Sequence, residues 1–202
     1  MEPLSIDALL PSAIAKKAET IGAQKCRLSF WPLLLLAILA GAFIAFGAIF
    51  STTVSAGAAG VLPFGIVRAL SGLVFCVGLI LVVVGGAELF TGNTLISMAW
   101  ASGVVTTSQV LRNWVVVYIG NLLGAVGTAL LLYCSRQYTF GGGAVGLTAL
   151  EIARAKLSLG FIQAIALGIL CNTLVCLAVW LCLGARSTAD KILAIVFPIS
   201  TF

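Results

Sequence analysis

The chain has 202 residues, of which 61% are apolar and only 8% charged. A soluble domain carries about a quarter charged residues, so this composition excludes one. The net charge of +5 comes from basic residues flanking apolar runs, the usual place of topology-setting charges, and is not a nucleic-acid footprint.

From the N-terminus, Met1 to Gln24 is polar and lacks the apolar core of a cleavable signal, so the first span is expected to act as an uncleaved anchor. This segment reads as an amphipathic helix. Ser12 is the expected cap, Ile14, Ala18 and Ile21 form an apolar stripe, and Lys16, Lys17 and Glu19 lie off it. The bland alternative is a solvated, frayed tail. Span one is expected over about Trp31–Val54, followed by a small-residue loop with Pro63. Span two runs from about Ile66 to Ala101 and is broken on the way. Span three covers about Trp114–Tyr133 and span four about Leu159–Leu183. A fifth apolar stretch, Ile192–Phe202, reaches about 16 Å as a helix, roughly half the bilayer core, so the chain is expected to stop inside that span.

The division is therefore a cytoplasmic N-terminal helix over residues 1–30 and a multi-pass membrane domain over 31–202. With the N-terminus inside, Lys16, Lys17, Lys25, Arg27, Arg112, Arg186 and Lys191 are cytoplasmic, against Arg68, Arg136, Arg154 and Lys156 outside. Six cysteines lie mostly in apolar runs, with no Cys-x-x-Cys pair and no histidine, so a zinc site is not expected. Gly120-Asn121-Leu122-Leu123-Gly124 is a small-residue helix-packing element. Ala37–Gly41 and Ala164–Gly168 echo one another faintly, which fits an inverted repeat.

The break in span two, Gly85-Gly86-Ala87-Glu88-Leu89-Phe90-Thr91-Gly92-Asn93-Thr94, carries the chemistry. An ionisable group at the bilayer centre costs roughly 2.5–3.5 kcal/mol on insertion scales, so Glu88 should face a cavity or a partner. The paired glycines allow unwinding, and Asn93 and Thr94 are the expected caps of a second half-helix. Two readings stay open on these residues alone: a permeation path through the membrane, or a kinked structural helix with Glu88 paired to a neighbour. A membrane-embedded enzyme using Glu88 as acid or base is a rival, but no histidine, paired carboxylate or metal-ligand cluster accompanies it.

Val83–Gly92 resembles the first signature of the formate–nitrite transporter family, and Gly168–Ala178 resembles the second, with Thr173 at a place that is usually apolar. Asn113-Trp114 and Gly120-Asn121 are similar to the family as well. The resemblance implies an all-α membrane protein, an aquaporin-like inverted-repeat bundle, assembled as a homopentamer with one pore per protomer in the inner membrane of a bacterial cell. It implies transport of formate, nitrite, hydrosulfide or a similar small anion, with no cofactor and with membrane lipid as the surroundings. It assigns Leu89, Phe90 and Thr91 to the pore loop, Leu89 and Phe90 narrowing the path. Phe75, Leu79 and Phe202 match apolar constriction positions, Lys156 a lysine that attracts anions, and Asn172 a polar pore residue. Without the resemblance, Phe75 and Leu79 are ordinary helix packing, Lys156 an interface lysine, and Asn172 interhelical glue. The usual histidine–glutamate pair of a second broken span is absent from these residues. Formate is the first expectation for the substrate. A bare anion in a dry constriction costs several kcal/mol. Protonating a carboxylate of pKa about 3.7 at pH ~7 costs roughly 4.5 kcal/mol. These are comparable, and crossing as the neutral acid is consistent with both.

Overall fold

The computed structural model describes residues 9–201, and among them the elements are nine α-helices and a 3-10 turn. Phe202 lies outside the described residues. Helices α2 (Phe30–Ser55), α3 (Phe64–Gly85), α6 (Thr107–Cys134) and α8 (Phe161–Gly184) are each long and apolar enough to cross a membrane. The shorter helices are α1 (Pro11–Arg27), α4 (Phe90–Asn93), α5 (Ile96–Ala101), α7 (Ala144–Leu157) and α9 (Thr188–Ser200).

The tightest pair is α2 with α6, and its cause lies in three glycines. A Cβ on Gly41 would strike the backbone carbonyl of Asn121, one on Gly124 the carbonyl of Ile38, and one on Gly120 the Cβ of Ala37. Lipid tails are as apolar as leucine, so membrane helices hold together through such close van der Waals contact rather than through hydrophobic exclusion. Gly72 does the same for α3 and α9, where a Cβ would lie 2.7 Å from the Ser200 carbonyl oxygen.

α1 does not lie free. Ile14, Ala18, Gly22 and Cys26 are its buried line, and Gly22 admits the Cβ of Ala99 on α5. Lys17 donates to the Leu183 carbonyl at the end of α8 (2.8 Å), and Glu19 pairs with Ser102. The stripe is rotated from the expected one, with Ile21 only half-buried. Ser12 is not the cap: Leu10 precedes the helix, and Pro11, whose φ is preset, opens it.

Two boundaries differ from hydropathy for one physical reason, polar capping outside the apolar core. α6 starts at Thr107 rather than about Trp114, because Thr106 and Gln109 form a reciprocal capping box. Arg112 falls inside the helix and donates to the Leu28 carbonyl at 3.0 Å. α9 starts at Thr188 rather than Ile192, capped by Ser187 and Asp190. The Ser187 backbone N–H and hydroxyl hold the Asp190 carboxyl below its usual range. α7 had no counterpart in the hydropathy pattern, since it is short and carries Glu151, Arg154 and Lys156.

Candidate functional site

The site is built where α3 stops. Gly86 takes a left-handed conformation, φ +81°, which glycine adopts without a Cβ penalty, and it receives the helix end: the N–H groups of Gly86 and Ala87 both donate to the Val82 carbonyl. Four residues later the chain is helical again at α4. Backbone groups released inside a membrane must find protein partners, and those on either side of Leu89 do. The Glu88 N–H donates to the Leu36 carbonyl at 3.2 Å, and the Phe90 N–H to Asn121 Oδ1 at 2.8 Å. Asn121 Nδ2 donates to the carbonyls of Glu88 (2.9 Å) and Ala37 (2.8 Å). Asn93 and Thr94 are not the N-terminal caps of the second half. α4 begins before them, because a side chain from α6 already satisfies its first N–H.

Glu88 is buried, 6% exposed, and paired. Lys25 Nζ stands 2.8 Å from its Oε1 and also donates to Asn93 Oδ1 at 2.8 Å. Asn93 Nδ2 donates to Glu88 Oε2 (2.7 Å) and Asn113 Oδ1 (2.9 Å), and Asn113 Nδ2 donates to the Lys25 carbonyl (3.2 Å). Trp114 Nε1 closes the set on the Asn93 carbonyl at 3.0 Å. The carboxylate thus serves as a structural anchor between α1, the loop and α6. This engaged Glu88 weighs against an acid or base role, and no group of three metal-ligating side chains occurs among the described residues.

The expected pore residues fall into separate places. Phe75, Leu89 and Val175 each pack against a buried cluster drawn from α2, α3, the loop, α8 and α9 that contains Leu79, 1% exposed. Phe90 turns the other way, onto Leu33, Ala37 and Val117, with its ring edge-on to Tyr118 (centroids 5.4 Å apart) and near Trp114 (6.4 Å). The loop therefore splits, Leu89 towards the cluster that contains Leu79 and Phe90 towards α2 and α6. Thr91 is half-buried, and its carbonyl accepts from Thr94 Oγ1 at 2.7 Å. Asn172 Nδ2 donates to the same Thr94 hydroxyl at 3.1 Å, and Cys176 Sγ lies 3.1 Å from it. A polar edge of α8 therefore borders α4. Thr173, the departure from the second signature, is exposed and donates within its own helix to Ile169. Lys156 is exposed at the end of α7, and no hydrogen bond or ion pair joins it to the loop among the described residues. A cavity of about 30 Å³, room for roughly one water, lies between α1, the loop and α8, lined by Ala18, Gly22, Lys25, Gly92, Leu95 and Val179.

The family model described as formate/nitrite transporter matches residues 12–202. The chain belongs to the formate/nitrite transporter family. It is 44% identical over 196 residues to the formate channel FocA of Escherichia coli (strain K12), covering 97% of this chain and 68% of that protein. It is 41% identical over 204 residues to the uncharacterized transporter YrhG of Bacillus subtilis, covering 95% and 72%. Among solved structures, a pentameric formate channel with formate bound superposes with a TM-score of 0.78 at 41% identity, covering 85% of this chain and 67% of that one. The chain thus spans about two thirds of the length of these relatives. As a formate/nitrite transporter it is an all-helical membrane protein of the channel fold that these structures share.

Sequence reasoning passed over Lys25 and the structural roles of Asn93, Asn113 and Asn121. Their signal was present: amides inside apolar runs are costly unless partnered. Lys25 looked like one more basic residue at a helix end.

Proposed function

We propose that this formate/nitrite transporter passes small monovalent anions, formate first, through a pore in each protomer of a homopentamer. The division at residue 30 and a cytoplasmic N-terminus in a bacterial inner membrane belong to the same reading. The carrying observation is the broken span itself. In this reading Phe75 and Leu89, which pack against the buried cluster containing Leu79, are the apolar constriction. Thr91, Thr94 and Asn172, joined through the Thr94 hydroxyl, are the polar face, in a chain whose relatives include formate channels. Similarity to a solved pentameric formate channel with formate bound supports both the substrate and the assembly. The gathering of α1, the start of α6 and the end of α8 at one end of the bundle supports the count of basic residues on the inner side.

In this reading Lys156 concentrates anions at the outer mouth. The substrate crosses the dry stretch as the neutral acid, and the Thr91 hydroxyl and Asn172 amide receive it beyond. Phe90, seated on α6, supports the loop. Flux of labelled formate and of nitrite into proteoliposomes tests this. Saturable formate flux exceeding that of nitrite is expected, and absence of flux for both overturns it. Lys156→Ala is expected to slow formate entry several-fold at low ionic strength and much less at 1 M salt, where charges are screened within about 3 Å, with assembly unchanged. Equal entry at low salt removes Lys156 from the path.

A further inference from the structure

Asn121 holds one residue of the constriction by both of its peptide groups. Its Nδ2 donates to the Glu88 carbonyl, which belongs to the peptide before Leu89. Its Oδ1 accepts from the Phe90 N–H, which belongs to the peptide after Leu89. Leu89 between them is extended, with φ −102° and ψ 129°. The amide thus engages Leu89 as a neighbouring strand would, satisfying one acceptor and one donor in fixed register. The remaining Nδ2 hydrogen reaches the Ala37 carbonyl on α2. Asn121 has little freedom to shift, because Gly41 of α2 sits against its own backbone and Gly120 and Gly124 bring the two helices together. Amide side chains offer an acceptor and two donors together, whereas an ionised carboxylate is acceptor-only.

From this geometry we infer that Asn121 is the positioning residue that fixes the bore of the passage. It pins the Leu89 backbone to the rigid α2–α6 pair, which directs the Leu89 side chain at the buried cluster that contains Leu79. The inference rests on the anion-channel reading and adds to it a determinant of substrate size.

The test uses the reconstituted protein, Asn121→Asp and Asn121→Ala, with formate and the larger lactate as probe anions, and amide hydrogen exchange over residues 86–94. An aspartate keeps the acceptor for the Phe90 N–H but sets a carboxylate against two carbonyls. Exchange over the loop is expected to rise about threefold to tenfold, the effect of losing one net hydrogen bond. The lactate-to-formate flux ratio is expected to change by a similar factor. A structural role alone would lower both fluxes together and leave their ratio unmoved. An unchanged ratio in a conducting variant overturns the inference. So does a wild-type Phe90 amide that exchanges like an open loop, a measurement that needs no variant. Should Asn121→Asp fail to assemble, Asn121→Ala removes the clamp without the carboxylate and is held to the same two readouts. If the wild-type protein passes neither anion, the channel reading fails by itself, and loop exchange still decides whether the clamp exists.

Discussion

Lys25→Met is expected to destabilise the assembled protein by about 3–5 kcal/mol, because it strands the Glu88 carboxylate in a buried site. The methionine keeps most of the side chain's volume and removes only the ammonium group that Glu88 and Asn93 share. Thermal unfolding in detergent, followed by loss of helix signal, reads the effect. The double variant Lys25→Met with Glu88→Gln should recover a large part of the loss, since no buried charge is left without a partner. A double variant as unstable as Lys25→Met alone would show that packing of α1, and not the charge pair, carries the stability.

Gly124→Leu is expected to prevent α2 and α6 from pairing and to abolish the folded state. Even the smallest addition at this position meets the Ile38 carbonyl, which is helix backbone and cannot swing aside. Gly41→Ala meets the Asn121 backbone in the same way and should cost several kcal/mol, at or above the roughly 1–3 kcal/mol usual for overpacking. Gly127→Ala is the control: nothing lies within 4 Å of its added Cβ, and alanine is favoured over glycine in a helix by up to about 1 kcal/mol. Size-exclusion profiles and melting temperatures of the three variants separate these outcomes. A Gly41→Ala protein with wild-type stability would mean that the helices part without cost, and the close-packed account of the bundle would fail.

These two sites also mark how far the residues could be read in order along the chain. The interruption at Gly85-Gly86 was legible because its causes are local: a glycine that adopts φ +81° and polar groups set within a few residues of an apolar run. The partners were not. Glu88 finds Lys25 63 positions away, and the Phe90 N–H finds Asn121 31 positions away. Nothing in hydropathy distinguishes an asparagine that clamps a loop from one that glues two helices. Leu89 and Phe90 are adjacent and chemically alike, yet one packs towards the cluster that contains Leu79 and the other towards Tyr118.

Composition and hydropathy determined by themselves a helical membrane protein with a broken span, because bilayer thickness and the cost of bare backbone in lipid act on consecutive residues, and the two signatures carried its resemblance to the formate–nitrite transporter family. Only the tertiary structure decided what the break rests on. The Lys25–Glu88–Asn93–Asn113 anchor and the Asn121 clamp are contacts between α1, α2, the loop and α6. They exist because glycines let the helices approach closely enough for short polar side chains to reach across. Distances of that kind are properties of the packed bundle, and no single stretch of the chain carries them.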